Sequence, residues 1–312
     1  MANSVIVTQD LTREFNTVHA VEGLTLDVPS GIVFGFLGPN GSGKTTTIRL
    51  LLGLLEPTRG TAQVLGHDTR TEAAQIREQA GALLEFTGLY ERLSAEDNLD
   101  FYGRIWHLPT TDRQARTREL LTHFDLWDRR KENAGTWSRG MKQKLAVAHA
   151  IFHRPKLVFL DEPTAGLDPV ASAALRDDLA GLVAREDVTV FLTTHNLTEA
   201  ERLCGQVAVI RQGKLLAVGH PDQLRAGSGR PQVEIIGSGF SPSILADVKA
   251  RPEVADAKLV NGRLSVELRP ASTTAALVSA LVAAGAQVEE VRKGSASLED
   301  VFLTLMDEES PK

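Results

Sequence analysis

The sequence predicts an α/β chain whose buried strands carry a phosphate-binding turn, with a smaller α+β domain behind it. Three observations predict this. First, Gly38-Pro39-Asn40-Gly41-Ser42-Gly43-Lys44-Thr45 fits G-x-x-x-x-G-K-[ST]. It stands between the short apolar run Ile32 to Leu37 and the helical run Thr46 to Leu52. Second, two more apolar runs end in polar groups: Leu157 to Leu160 runs into Asp161-Glu162, and Thr189 to Thr194 into His195. Third, beyond residues 227–231 the pattern becomes β-α-β-β-α-β, the order of a ferredoxin-like domain.

The first motif has the context its chemistry needs: strand, glycine-rich turn, helix. Glycines let backbone N–H groups turn inward around phosphate oxygens. The helix N-terminus adds partial positive charge. Lys44 is expected to reach the β- and γ-phosphates of a nucleotide, and the Thr45 hydroxyl to ligate Mg²⁺. Thr46, next in the helix, joins the nucleotide-binding set.

Bulk properties narrow the field. The chain has 312 residues, enough for two domains, and a net charge of -6, with no sign of a basic nucleic-acid-binding chain. Its single cysteine, Cys204, excludes an internal disulfide framework and fits a reducing compartment. Met1-Ala2-Asn3-Ser4-Val5 lacks the pattern of a signal peptide. No run reaches the ~18 apolar residues of a membrane span. The chain is expected to be soluble by itself, so a membrane role needs a partner chain.

In chain order, Ser4 to Thr8 and Leu24 to Val28 read as strands before the Pro29-Ser30-Gly31 turn. Phe15, between them, could stack on a flat heterocycle or sit in the core. A strand is expected near Ala62 to Leu65, a helix at Glu72 to Gln79, and a strand from Ala82 to Phe86. Residues 89–156 read as a helical subdomain. Within it, Ser94 caps one helix, a second spans Asp112 to Phe124, and Ser138 caps a third. That third N-terminus, with Gly140 and nearby lysines, is either a plain capped helix or an anion site. Asp161 and Glu162 end a buried strand on the side where parallel sheets meet ligands. They are placed to hold Mg²⁺ and to polarise an attacking water. Alone they would read as a solvated turn, and His195 as a capping residue. Asp168 lies in the turn before a helix from Val170 to Arg185.

With these residues in order, residues 5–220 resemble the nucleotide-binding subunit of ABC transporters. Walker A is Gly38 to Thr45, and Walker B is Leu157 to Asp161 followed by Glu162. Trp137-Ser138-Arg139-Gly140-Met141 stands where the signature LSGGQ stands. Asp168 matches the D-loop, His195 the switch histidine, and Phe15 the aromatic that stacks on adenine. The resemblance implies a P-loop NTPase fold: a RecA-like core with an antiparallel β subdomain and a helical subdomain. It implies Mg-ATP hydrolysis between two copies closed head to tail. Each ATP would then lie between one P-loop and the partner's signature, at its equivalents of Ser138 and Gly140. Catalytic roles would fall to Glu162, His195, Lys44 and Asp168.

The form Ser138-Arg139-Gly140-Met141-Lys142-Gln143-Lys144 and the ending Ser297-Leu298-Glu299-Asp300-Val301-Phe302-Leu303 are similar to the ABC-2 export type. That type implies a separate membrane permease, a place on the cytoplasmic face of the membrane, and export of drugs, antibiotics or lipids. No nucleic-acid partner is expected. Two departures stand out. Arg139 and Met141 replace Gly and Gln of the signature. Glu85 stands at the Q-loop glutamine, where a carboxylate can still ligate Mg²⁺ but adds negative charge beside the γ-phosphate.

The expected domains are residues 1–226, a linker at 227–231 and a ferredoxin-like module at 232–312. Asn261-Gly262 is its hairpin signal. No ligand constellation is evident in that module. The rival reading is a soluble ABC ATPase acting on ribosomes or DNA, or a drug-binding self-resistance protein without transport.

Overall fold

The computed structural model describes residues 4–228, 232–260, 262–269, 273–294 and 297–308. The chain divides into two units between His220 and Pro221. The first begins with a hairpin of β1 (Ser4–Phe15) and β2 (Val18–Pro29), then β3 (Val33–Leu37) and α1 (Lys44–Leu51). Next come β4 (Arg59–Val64), β5 (His67–Asp68), α2 (Ala73–Gln79) and β6 (Ala80–Leu83). The helical subdomain is α3 (Ala95–Ile105), α4 (Thr110–His123) and α5 (Arg139–Ala150). The rest is β7 (Leu157–Asp161), α6 (Pro169–Glu186), β8 (Thr189–Thr194), α7 (Leu197–Leu203), β9 (Gln206–Arg211) and β10 (Lys214–Gly219).

Two sheets form from these strands. One has the order β2-β1-β4-β5, and the other β10-β9-β3-β8-β7-β6. In the second, β9, β3, β8, β7 and β6 are parallel, and β10 closes the edge antiparallel to β9. Its register is set by phenylalanines. Phe34 and Phe159 both lie opposite Phe191, with ring centroids at 5.5 and 5.6 Å, and all three are fully buried. A one-residue slip would turn each ring to the other face of the sheet. The same register sets Leu37 beside Thr194 and Asp161 beside Thr193. The functional strand ends are therefore neighbours.

Three strands differ from expectation. β1 and β2 run unbroken to Phe15 and Val18; register shifts at Thr8/Leu11 and Leu11/Arg13 interrupt the alternation that marks a strand, so the sequence shows only part of each. β6 stops at Leu83, where its pairing with β7 ends at Leu160. Leu84, Glu85 and Phe86 thus lie beyond the strand, with Phe86 exposed. Cys204 is buried behind β3, and a Cβ on Gly35 would come within 2.8 Å of its Sγ. Burial pushes the Cys204 thiol up to about 12, with a smaller push from the charge of Glu199.

The second unit begins with α8 (Pro221–Ser228), earlier than the expected linker. Proline at its first position starts this helix, which packs on the last one. Residues 229–231 of the expected linker lie outside the described residues. The elements β11 (Gln232–Ser238), α9 (Pro242–Lys249), β12 (Val254–Val260), β13 (Arg263–Leu268), α10 (Thr274–Ala283), β14 (Gln287–Gly294) and α11 (Leu298–Glu308) follow. Their all-antiparallel sheet has the order β12-β13-β11-β14, which is the split βαβ, ferredoxin-like arrangement. It has its own core, including Val233, Ile235, Leu264, Val266 and Leu277. Of the hairpin pair, Asn261 lies outside the described residues and Gly262 has φ 78°. Among the described residues, no helix is long and apolar enough to cross a membrane.

Candidate active site

β3 delivers the P-loop and α1 begins at Lys44. The turn is possible only with glycine at two tight points. A Cβ on Gly38 would lie 2.4 Å from the Ile210 carbonyl oxygen. One on Gly43, at φ 107°, would lie 2.2 Å from that of Ala20. Inside the loop, the Ser42 hydroxyl is buried and has no hydrogen-bond partner among the described residues. An orphaned hydroxyl inside a glycine-rich turn at a helix N-terminus fits an arriving phosphate oxygen.

Lys44 is 6 % exposed. Its ammonium donates to the carbonyls of Gly38 at 2.8 Å and Pro39 at 3.1 Å, and lies 3.1 Å from Glu162 Oε1. Asp161 is held from two sides. Thr45 Oγ1 donates to its Oδ2 at 2.6 Å and Thr193 Oγ1 to its Oδ1 at 2.5 Å. Glu162 has φ 50°, uncommon outside glycine, and donates its N–H to Thr193 O at 3.1 Å and Thr193 Oγ1 at 3.0 Å. Its Oε2 lies 2.6 Å from Nδ1 of His195. The left-handed backbone turns the Glu162 carboxylate back toward the P-loop instead of along the strand.

These groups border an open cleft of about 560 Å³. Asn40, Gly41, Gly43, Lys44, Thr45, Thr46, Glu85, Asp161 and Glu162 line it. Val18, His19 and Ala20 of β2 form another wall, while Phe15 is not on the wall. Phe15 is 40 % exposed, and the Arg13 guanidinium lies 4.5 Å above its ring. Glu85 pairs at 3.8 Å with Arg49 of α1.

Ser138, Gly140 and Asp168 also stand off the cleft. Ser138 caps α5 by accepting the Met141 N–H, and Asp168 caps α6 by accepting those of Val170 and Ala171. A Cβ on Gly140 would meet Ala171 at 3.1 Å, so the two helix N-termini pack side by side.

Sequence reasoning missed several residues. Arg139 and Gln143 line the cleft, and Arg139 donates to the Ala165 carbonyl at 2.8 Å. Thr193 is the unexpected partner of Asp161. Its only signal was a polar residue within an apolar run.

A hydroxyl and a carboxylate, Thr45 and Asp161, form a hard-oxygen donor set suited to Mg²⁺. Among the described residues, no group of three or more His, Cys, Asp and Glu side chains could hold a metal.

Comparison with known proteins bears on this cleft. Residues 21–165 match the family model described as ABC transporter. Residues 219–306 match that of the ATP-binding protein DrrA1-3-like, C-terminal domain. Daunorubicin resistance ATP-binding protein DrrA3 of Streptomyces coeruleorubidus is 35 % identical over 309 residues, spanning 98 % of this chain and 96 % of that one. The chain belongs to the ATP-binding proteins of ABC transporters.

This ABC ATP-binding protein has other relatives. Daunorubicin/doxorubicin resistance ATP-binding protein DrrA of Streptomyces peucetius is 36 % identical, over 97 % of this chain and 86 % of that one. Bacitracin transport ATP-binding protein BcrA of Bacillus licheniformis is 37 % identical over 69 % of each. A solved ATP-binding subunit of an ABC transporter superposes with TM-score 0.64 at 31 % identity, over 72 % of this chain and 92 % of that one. The ABC ATP-binding protein described here is thus a P-loop ATPase with a DrrA-like C-terminal domain.

Proposed function

We propose that this chain powers an ABC-2 type exporter of drugs, antibiotics or lipids, acting with a separate permease on the cytoplasmic face of the membrane. The observation that carries the reading is the meeting of Lys44, Asp161, Glu162 and His195 at adjacent strand ends. Likeness to daunorubicin resistance ATP-binding proteins along nearly the whole chain supports the export of such compounds.

In this reading the P-loop from Gly38 to Thr46 wraps the phosphates of ATP, and Phe15 stacks on adenine. Thr45 and Asp161, with Glu85 nearby, would hold Mg²⁺, which would supply charge neutralisation at the phosphates. Lys44 leaves Glu162 for the phosphates, and Glu162 then accepts a hydrogen bond from the attacking water and takes its proton. His195 holds the Glu162 carboxylate in position and, with Lys44, faces the charge that grows on the γ-phosphoryl oxygens.

Ser138, Gly140 and Asp168 stand off their own cleft, which supports service to the ATP of a second copy closed head to tail. Beside residues 85–98, Phe86, Tyr90, Phe101 and Ile105 are exposed, and Tyr90 and Phe101 meet edge to face at 4.9 Å. Neighbouring exposed apolar groups suit a docking helix of the permease.

The test is recovery of the tagged protein from detergent-solubilised native membranes, with mass spectrometry of what accompanies it. A stoichiometric polytopic chain is expected. Ribosomes, DNA or nothing, from protein that still hydrolyses ATP, would overturn the reading in favour of a soluble ATPase.

A further inference from the structure

Glu199 has no part in the site as described, yet three parts of that site converge on it. It lies in α7 and is 2 % exposed. Thr164 Oγ1 donates to its Oε2 at 2.6 Å. Arg176 of α6 approaches its Oε1 at 3.7 Å, and that oxygen is buried without a hydrogen bond. Its backbone N–H donates to the side chain of Asn196, which caps α7 next to His195. The Asn196 N–H in turn donates to Thr194 Oγ1 at 2.9 Å.

These contacts close a ring. Glu162 joins His195 through 2.6 Å, and His195 is followed by Asn196, which holds the Glu199 backbone at 3.1 Å. The Glu199 carboxylate then holds Thr164, two residues after Glu162. Thr164 O accepts the N–H of Leu167, the residue before Asp168. Arg176 belongs to the helix that Asp168 caps. The turn from Glu162 to Asp168 and the start of α7 are therefore pinned to each other by one buried carboxylate.

We propose that Glu199 is a positioning residue that locks the turn carrying Glu162 and Asp168 to the helix that begins after His195, and so sets the geometry of the Glu162–His195 pair.

Its energetics fit that role better than a role in bulk stability. Burial raises the Glu199 carboxyl above the usual carboxylate range. Thr164 and Arg176 pull it back, and the nearby charge of Glu162 adds to the rise. A buried carboxylate with one close hydrogen bond is a poor device for stability, since an apolar side chain of similar volume would cost less. It is a good device for fixing one turn against one helix.

The proposal rests on the roles given above to Glu162 and His195, and the experiment separates the two. Turnover, KM for ATP and melting temperature are measured for Glu199→Ala, Glu199→Gln, Thr164→Val and the double variant Glu199→Ala/Thr164→Val, with Glu162→Gln as control. Glu199→Ala is expected to lower kcat roughly 10- to 100-fold, the scale of a misplaced catalytic group. KM should stay within about twofold, since the phosphate cradle is intact. Glu199→Gln keeps an acceptor for Thr164 and should restore most of kcat. Thr164→Val should reproduce the loss, and the double variant should lose no more than either single one.

An unchanged kcat in Glu199→Ala, a loss that follows melting temperature across the set, or strictly additive losses would each overturn the proposal. A Glu162→Gln protein that still turns over ATP would instead overturn the role given to Glu162.

Discussion

Lys44 and Glu162 are paired at 3.1 Å, so the cation proposed to bind phosphate and the carboxylate proposed to polarise water occupy each other. The other Glu162 oxygen is taken by His195. In the proposed mechanism ATP binding is then an exchange, in which phosphate replaces Glu162 and two loop carbonyls around the Lys44 ammonium and frees one carboxylate oxygen.

Removing the ammonium tests this exchange. Lys44→Met should weaken ATP binding ~10- to 100-fold, the worth of charge-assisted hydrogen bonds. Isothermal titration with a non-hydrolysable ATP analogue measures it. Unchanged affinity would show that Lys44 does not meet the phosphates.

The P-loop backbone should tolerate little at Gly43. Gly43→Ala puts a methyl 2.2 Å from the Ala20 carbonyl oxygen at a positive φ. Strain of about 1–3 kcal/mol is expected, and any relief must open the loop away from β2. A lower melting temperature together with weaker ATP binding is the expected pair of outcomes.

Glu85 lines the cleft from beyond the end of β6. If Glu85 serves the metal as proposed, Glu85→Gln removes one negative charge from the cleft wall and an anionic oxygen donor for Mg²⁺. The Mg²⁺ concentration for half-maximal hydrolysis should rise, measured by steady-state ATPase at fixed ATP. Its exposed pairing with Arg49 contributes little to stability, so the melting temperature should hold. Unchanged activity with unchanged Mg²⁺ dependence would remove Glu85 from the metal site.

Acid should unfold the helical subdomain through two histidines. His149 stacks on Tyr102 at 3.5 Å and His153 on Trp106 at 3.9 Å. Burial pulls both down from the usual 6.5 to about 4; the charge of His153 adds to the fall at His149, and that of Arg116 to the fall at His153. The unfolded chain binds their protons first, so the native state loses stability as pH falls from 6.5 towards 4. The loss is on the order of 3 kcal/mol for each. Melting curves between pH 7 and 4 measure it, and His149→Phe should flatten the decline.

What the sequence made legible was whatever its own neighbours encode. The P-loop shows because strand, glycines, lysine and helix are contiguous, and Asp161-Glu162 because the strand before them is uniformly apolar. The hold of Thr193 on Asp161 did not show, because strand order makes β7 and β8 neighbours across 32 residues. Glu199 was hidden for a different reason. A glutamate in the first turn of a helix reads as a solvated end, and only packing reveals it buried. The β1–β2 hairpin runs further than its sequence shows, because bulges break the alternation that marks a strand, and β6 ends where its pairing with β7 ends. The start of the second unit was missed because Pro221 opens a helix where a Gly-Ser-Gly run six residues on suggested a linker.

The chain's lone sulfhydryl, Cys204, has a practical consequence. Packed behind β3 and pushed up to about 12, it supplies almost no thiolate at neutral pH. The native protein is therefore a silent background for thiol chemistry. A cysteine substituted at exposed Ser138 would be the reactive one without first replacing Cys204. Its cross-link to a second cysteine placed beside the P-loop would test the proposed head-to-tail pairing of two copies.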